Sequence, residues 1–461
     1  MTAQPTLAPP PVRARPARRK FGLADLLGPL AIFSVVAVVC LWLANQGLGG
    51  LTSLDRAIGS LGLLTGLLAA DLMLLQVVLL ARIPWVERAW GHDLLVRRHR
   101  LLGFASFWFM IAHVALYAVE RMGRGSVSAL WAVFVTDSWM LFATVGTLMI
   151  IGVTVTSIRY ARRKLRYESW HLLHLYAYLG IGFAVPHQLV DGADFHATYA
   201  QIYWWSLYLF SLGTILVYRV GWPLWRSVYH RMRVDSVRPE VPGVISVTVR
   251  GHRLDRLRTR SGQFFVWRFF DGPGWSRGNP YTISAAPHQD RLRLTIQAAG
   301  DGSTRAARLR PGTRVFIEGP YGTMTAQRRR HPRMLLMAAG VGVTPIRALL
   351  EDSPYAPGET TLIYRYTEPE HAVLTTEIDE IAARRGVRVC YLPGPRRADG
   401  SWQPAGTDRL DDADALTRLV PDLAHHDAFV CGPPHWITAA RKALHRAGVA
   451  RDQVHTEDFA W

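Results

Sequence analysis

Four histidines carry the first signal of chemistry in this chain. His99 and His113 bracket one apolar stretch, and His174 and His187 bracket another. The first pair is 14 residues apart, which at ~1.5 Å per residue and ~3.6 residues per turn is ~21 Å along one helix face. The second pair is 13 residues apart, so on a straight helix His187 lies roughly 140° away from His174. Pro186 removes a helical hydrogen bond just before His187 and offers a distortion that corrects the facing. Ionisable groups at membrane depth are expensive and usually functional. A lone membrane histidine is more often a bonded core residue than a ligand; two pairs on two stretches reverse those odds. At each level two imidazoles can clamp one haem, a low-spin arrangement suited to electron transfer rather than to oxygen binding at iron. Cys40, Cys390 and Cys431 are too scattered for a disulfide framework, a zinc thiolate site or a four-cysteine cluster.

Histidines at such depths need membrane-crossing helices to hold them. The chain has 461 residues, 49% hydrophobic and only 19% charged, which excludes disorder as the main state. Six apolar stretches near the ~20 residues needed to cross a bilayer run at 26–44, 61–80, 101–119, 140–158, 172–190 and 202–220. The first is too long for a signal-peptide core and no cleavage site follows it. The net charge of +18 suggests nucleic acid until its distribution is read. Arg13, Arg15, Arg18, Arg19 and Lys20 precede the first stretch; Arg82, Arg88, Arg97, Arg98 and Arg100 join the second to the third; Arg159, Arg162, Arg163, Lys164 and Arg166 join the fourth to the fifth. The opposite loops hold Arg56, Arg121 and Arg124. The positive-inside rule therefore predicts a plasma-membrane protein with its N-terminus and C-terminal half in the cytoplasm, and no nucleic-acid partner. The third and fifth stretches then run the same way, so His99 shares a depth with His174, and His113 with His187. Residues 1–20 read as a disordered basic tail attached to anionic lipid. His171 reads as a supporting or interfacial histidine and Asp71 as an interior carboxyl paired with another helix. His92 and His196 read as solvent-exposed loop residues, and the basic character of Arg97, Arg98 and Arg100 is explained by topology.

After Val220 the pattern changes to alternating segments such as VISVTVR and RLRLTIQ, punctuated by Gly and Pro. Residues 233–328 read as a small antiparallel barrel. Residues 329–461 read as an α/β domain whose first strand, Met334–Ala339, runs into Gly340-Val341-Gly342-Val343-Thr344-Pro345 and a helix. Glycines at such a turn let backbone approach a phosphate at a helix N-terminus.

The paired histidines, with Tyr167-Glu168-x-Trp170-x-x-x-His174 opening the second pair, resemble the ferric reductase transmembrane domain shared by NADPH oxidases and ferric-chelate reductases. The resemblance implies a six-span domain over 21–221 with two stacked b haems, the inner on His99 and His174 and the outer on His113 and His187. The second half resembles the flavin and nucleotide module of the ferredoxin–NADP reductase superfamily. Gly262-Gln263-Phe264-Phe265, closing a strand, is the first matching phrase. Asn279-Pro280-Tyr281-Thr282 is the second, and implies an aromatic and a hydroxyl against the isoalloxazine of FAD. Gly300-Asp301-Gly302-Ser303-Thr304 is a turn whose N–H groups can cradle a pyrophosphate, and Gly319-Pro320-Tyr321-Gly322 ends the domain. Asn279 departs from the Arg or His usual there, and Arg277 is its substitute candidate.

In the nucleotide domain the resemblance places Gly340, Gly342, Thr344 and Pro345 on the dinucleotide. It places Arg365 near the adenosine end, where with Arg396 or Arg397 it favours NADPH over NADH. Cys431-Gly432-Pro433 falls beside the nicotinamide, with Cys431 equally readable as a buried small hydrophobe. Phe459, with Trp461 as competitor, is the C-terminal aromatic over the flavin. The implied activity is electron transfer from cytoplasmic NADPH through FAD and two haems to O₂ or a ferric chelate outside. The alternative is a membrane cytochrome b feeding a partner protein or quinone. The chain shows no EF-hand pattern, so constitutive activity with no obligatory protein partner is expected.

Overall fold

The computed structural model describes residues 26–45, 47–124, 127–165, 167–192, 197–275, 277–406 and 410–458. The basic tail, His196, Phe459 and Trp461 lie outside the described residues. The chain divides into two compact units, Phe21–Gly221 and one containing Trp222–Trp461.

The first unit is helical: α1 (Leu27–Ala44), α2 (Leu54–Leu79), α3 (Pro84–Trp90), α4 (His92–Arg124), α5 (Val127–Thr136), α6 (Ser138–Ser157), α7 (Arg159–Lys164), α8 (Tyr167–Asp191) and α9 (Thr198–Thr214), with π-helical turns over Ile215–Gly221. Among the described residues, five helices are long and apolar enough to cross a membrane: Leu27–Ala44, Leu54–Leu79, Leu94–Gly123, Ser138–Ser157 and Thr198–His230. The sixth expected stretch, 172–190, falls inside the 25-residue α8. That helix is not among the five, and His171, His174, His187 and Gln188 dilute its apolar character. Its backbone stays helical through Pro186, so the distortion expected there does not interrupt it.

Small residues set the helix pairing, as they do where lipid removes the hydrophobic drive between helices. A Cβ on Gly66 of α2 would stand 2.7 Å from the His113 ring of α4, and one on Gly146 of α6 would stand 2.6 Å from the Gly180 carbonyl of α8. Thus α2 packs along α4 and α6 along α8, while the backbones of α4 and α8 stay apart. Asp71 is fully buried and accepts from Ser34 Oγ (2.6 Å) and Tyr203 Oη (2.9 Å), tying α2 to α1 and α9 as an interior carboxyl should. His92 departs from its expected exposure. It opens α4, only 15% of its side chain is exposed, and its ring lies 3.1 Å from the buried Glu87 carboxylate. A buried carboxylate needs partners, and Glu87 draws in both His92 and Arg82.

The second unit begins with α10 (Trp222–His230), followed by β1 (Arg233–Val241), β2 (Val244–Arg250), β3 (Phe264–Phe269), β4 (Asn279–Thr282), β5 (Arg291–Gln297), α11 (Asp301–Ala306) and β6 (Val315–Tyr321). Instead of one continuous barrel, the strands form two antiparallel sheets, β1-β2-β5 and β4-β3-β6. Single bridges Arg233–Arg314 and Ile283–Leu294 link them. Register shifts in β1–β2 and β3–β6 break the ladders. Both sheets still share one core, with Val247, Leu294, Phe265, Trp267 and Ile317 at its centre.

The remainder alternates strand and helix: β7 (Arg333–Ala339), α12 (Val343–Asp352), β8 (Thr360–Tyr366), α13 (Thr375–Arg385), β9 (Arg388–Pro393), α14 (Asp412–Leu419), β10 (His426–Gly432), α15 (Pro434–Arg446) and β11 (Val454–Asp458). The sheet is all parallel, in the order β11-β10-β7-β8-β9. Every residue of β10 is buried, as a central parallel strand covered on both faces requires.

Two phrases sit differently from their sequence reading. Gly262-Gln263-Phe264-Phe265 opens β3 instead of closing a strand. Its glycine has φ +87°, and a Cβ there would overlap the Met324 carbonyl oxygen. Gly300–Thr304 forms the start of the short helix α11 instead of an open turn. Gly262→Ala is expected to destabilise the second unit by ~3 kcal/mol, lowering its melting midpoint by roughly 8 °C. A thermal melt followed by tryptophan fluorescence checks this.

Candidate functional site

Three groups of residues come together. In the first unit, the ring centres of His99 and His174 stand 5.9 Å apart. Nδ1 of His99 donates to the Gln76 carbonyl (3.2 Å), and Nδ1 of His174 is hydrogen-bonded to Ser157 Oγ (3.2 Å). Nδ1 of His113 donates to the Gly62 carbonyl (2.8 Å). His187 lies within electrostatic reach of His113, and its buried Nδ1 makes no hydrogen bond. Once Nδ1 is engaged, Nε2 is the nitrogen left for a ligand, the usual outer-sphere arrangement of a metal-binding imidazole.

The spacing also suits a shared metal. Two metal–imidazole bonds of about 2 Å, plus the distance from each ring centre to its edge nitrogen, give about 6 Å. Together with the separated α4 and α8 backbones, these donors fit a haem. The sequence reading passed over the supporting groups. Gly62 and Gly66, spaced as a small-xxx-small pair, were the available signal. Trp170, part of the motif that opens the second pair, has its ring 5.1 Å from that of His174, while Ser157 carries no signal in the sequence. His171 stands 6.4 Å from the same Trp170 ring, beside the pair.

In the second unit, β4 lays Asn279, Pro280, Tyr281 and Thr282 against Trp267, Val266, Phe265 and Phe264 of β3. The Tyr281 carbonyl accepts from Trp267 Nε1 (2.9 Å), and burial pushes the Tyr281 phenol up to about 12. Thr282 is 4% exposed and its Oγ1 has no hydrogen-bond partner, although buried hydroxyls are nearly always satisfied. Asn279 meets the second motif directly, because its Oδ1 stands 2.8 Å from where a Gly302 Cβ would be. An orphaned hydroxyl on β4, the strand whose Asn279 meets Gly302, suits a bound flavin. Ser303 Oγ accepts from the N–H groups of Ala299 (2.8 Å) and Gly300 (3.0 Å), so it holds the turn itself.

The third group sits at the C-terminal ends of the parallel strands. Strand order reverses between β7 and β10, which is where open α/β sheets bind ligands. Gly340–Gly342 leaves β7 there, with Thr344 and Pro345 buried in the first turn of α12. Gly432 and Pro433 leave β10. A Cβ on Gly342 would overlap the Cys431 carbonyl, so the two loops touch backbone to backbone. The Cys431 side chain is fully buried among Leu336, Ala338 and Phe429, so the crevice receives its backbone. Arg365 ends β8 beside Ala339. Its Nε and Nη2 are buried without a hydrogen-bond partner, and burial, then Arg396, hold its pKa below the usual arginine value. Such a guanidinium needs an anion.

A charged network joins the flavin-side strands to the nucleotide-side helices. Arg293 of β5 donates to both carboxylate oxygens of Glu377 on α13 (2.6 and 2.8 Å), and to the Ser284 hydroxyl and carbonyl. Arg347 of α12 pairs with Glu377 (2.8 Å) and Glu351, and Glu351 accepts from the Ala286 N–H (2.6 Å). Burial opposes the charge on Glu377, but Arg293 and then Arg347 outweigh it and hold the carboxyl below its usual 4.5. A depressed carboxyl contributes stability above its unfolded value and loses it as pH falls through the folded one. Glu377→Gln is therefore expected to lower the neutral-pH melting midpoint of the second unit and to flatten its further decline below about pH 4.5. Parallel melts of both proteins across that range check it.

Comparisons with known proteins follow these two units. The model of the ferric reductase like transmembrane component matches residues 65–185, and that of the oxidoreductase NAD-binding domain matches residues 336–442. The ferredoxin reductase component of 3-ketosteroid-9-alpha-monooxygenase from Mycolicibacterium smegmatis is 30% identical over 210 residues, 44% of this chain and 57% of that one. A flavohemoprotein from Chromobacterium violaceum is 29% identical over 256 residues, 52% of this chain and 61% of its own. Dual oxidase 1 from Rattus norvegicus is 26% identical over 231 residues, 46% of this chain and 14% of its own. The chain thus spans little more than half the length of the first two and a small part of the third. It joins a ferric reductase like transmembrane component to an oxidoreductase NAD-binding domain, and this pairing matches a ferric reductase/NADPH oxidase-type fusion.

Proposed function

We propose that this protein moves electrons from cytoplasmic NADPH, through FAD and two b haems, to an acceptor outside the plasma membrane, either O₂ giving superoxide or a ferric chelate. The observation that carries the reading is the imidazole pair of His99 and His174, 5.9 Å apart with both Nδ1 atoms engaged. A paired-imidazole iron exchanges single electrons without opening a site for oxygen, and a flavin converts hydride into single electrons.

The chain's residues have separate tasks in this scheme. His99 and His174 hold the inner haem, and His113 and His187 the outer one. Thr282 offers its hydroxyl to the flavin ring edge, Tyr281 packs on the ring, and Asn279 and Gly302 border the flavin phosphates. Gly340, Gly342 and Gly432 bring backbone without side chains to the dinucleotide, and Pro433 continues the loop that Gly432 opens. Arg365, with Arg396 beside it, takes the 2′-phosphate and so favours NADPH. The resemblance assigns the aromatic over the flavin to Phe459 or Trp461, both outside the described residues. The basic residues flanking α1, between α2 and α4, and in α7 keep the N-terminus and the flavin and nucleotide regions cytoplasmic, with all six apolar stretches crossing the bilayer.

Anaerobic addition of NADPH to the purified protein should reduce paired-imidazole haem. Absence of that reduction overturns the reading. His187→Ala should halve the haem content from two per chain and lower reduction of the outer acceptor more than about tenfold. Arg365→Ala should raise the KM for NADPH by about tenfold or more with NADH little affected. Steady-state kinetics with both nucleotides checks this, and an unchanged preference removes Arg365 from the site.

A further inference from the structure

The helix that opens the second unit has an unusual outer face. Ser227 and His230 of α10 are buried on the sheet side, where Ser227 Oγ accepts from the Ile317 N–H (3.2 Å) and His230 Nδ1 donates to the His252 carbonyl (2.8 Å). Arg226 donates to the Gly319 carbonyl on the same side. α10 is therefore seated firmly on the flavin-side strands. Its other face carries Trp222, Leu224, Trp225 and Val228, which are 40%, 52%, 54% and 61% exposed. The rings of Trp222, Trp225 and Tyr229 form a ladder, with centres 5.5 and 5.2 Å apart. Exposed Arg231 and Arg233 follow the ladder, and Arg256 donates to Tyr229 Oη (2.8 Å).

This combination of aromatic and aliphatic side chains with an arginine rim is what an in-plane interfacial helix presents to anionic lipid. Position along the chain agrees. α10 follows directly on the apolar stretch 202–220, so its aromatic face begins within a few residues of a membrane-crossing segment, where Trp and Tyr concentrate.

We propose that α10 is a membrane-surface anchor: Trp222, Leu224, Trp225 and Val228 rest in the headgroup–acyl boundary of an anionic bilayer, with Arg231, Arg233 and Arg256 on the lipid phosphates. The anchor holds the flavin-side strands against the membrane surface. The inference rests on the membrane-spanning reading above, and its test separates the two.

The full chain, with Cys40→Ser and Cys390→Ser, is placed in nanodiscs of phosphatidylcholine and phosphatidylglycerol. A fluorophore is attached after Leu224→Cys or Val228→Cys on α10, Leu148→Cys on the outer face of α6, or Arg291→Cys on β5 as the aqueous reference. Labels at 224 and 228 should be quenched by headgroup-level nitroxide lipid and be about threefold or more less sensitive to aqueous iodide than the label at 291. Iodide sensitivity equal to that at 291 overturns the anchor. Shielding from iodide without lipid quenching also overturns it, because protein then covers the face. Failure of the label at 148 to be quenched by acyl-chain nitroxide overturns the spanning reading instead.

Discussion

An imidazole whose Nδ1 proton is held by a backbone carbonyl has one nitrogen left to bind iron. That constraint organises the first unit. The Gln76 and Gly62 carbonyls, both on α2, take the Nδ1 protons of His99 and His113 on α4. α2 must therefore lie close along α4 with its own polar backbone turned toward the histidine face. Gly66 makes the approach feasible, since any side chain there would strike the His113 ring. α8 meets the same demand through α6, where Ser157 reaches His174 and Gly146 lies on the Gly180 backbone. Two helix pairs, each closed by glycine, leave the α4 and α8 backbones apart, the separation that the proposed haems would need.

The second unit solves a different problem, that of bringing phosphates and a flat ring to backbone. A side chain is excluded at Gly342 by the Cys431 carbonyl, and at Gly302 it would displace the Asn279 amide. What remains is a crevice at the strand-order reversal with an unpaired Arg365 guanidinium at its rim and an unpaired Thr282 hydroxyl on the flavin side. Unsatisfied buried polar atoms are a cost in the bare protein and mark where a ligand supplies the missing partner. The network of Arg293, Glu377, Arg347 and Glu351 links the strand segment after Thr282 to α12, whose first turn follows Gly342. Both ligand-facing segments are thus set by the same ion pairs, and burial makes their geometry strict.

The histidine pairs, the membrane stretches and the strand-then-glycine phrases could all be read before any coordinates, because each depends on residue type at a fixed spacing. The depth match of His99 with His174 follows from helix rise and from two helices running in one direction. His92 misled because a polar residue in a basic connection looks solvated, and only tertiary contact reveals the buried Glu87 that recruits it. The glycine phrase at 262 was assigned to the wrong end of a strand, since a positive φ is a property of the fold around Met324 and not of the tetrapeptide. The turn at Gly300 became a short helix for the same kind of reason, with Ser303 closing it locally.

The sequence by itself marked the paired histidines, the apolar stretches that hold them and the glycine turns that follow strands. These follow from periodicity, hydropathy and charge, quantities that act over one or two turns of chain. Tertiary structure alone decided that the Nδ1 atoms of His99, His113 and His174 are engaged, that the Cys431 side chain is buried, and that Thr282 Oγ1 and Arg365 Nε and Nη2 have no hydrogen-bond partner. Those outcomes depend on atoms far apart in the chain meeting within a few ångströms, and no local pattern encodes such meetings.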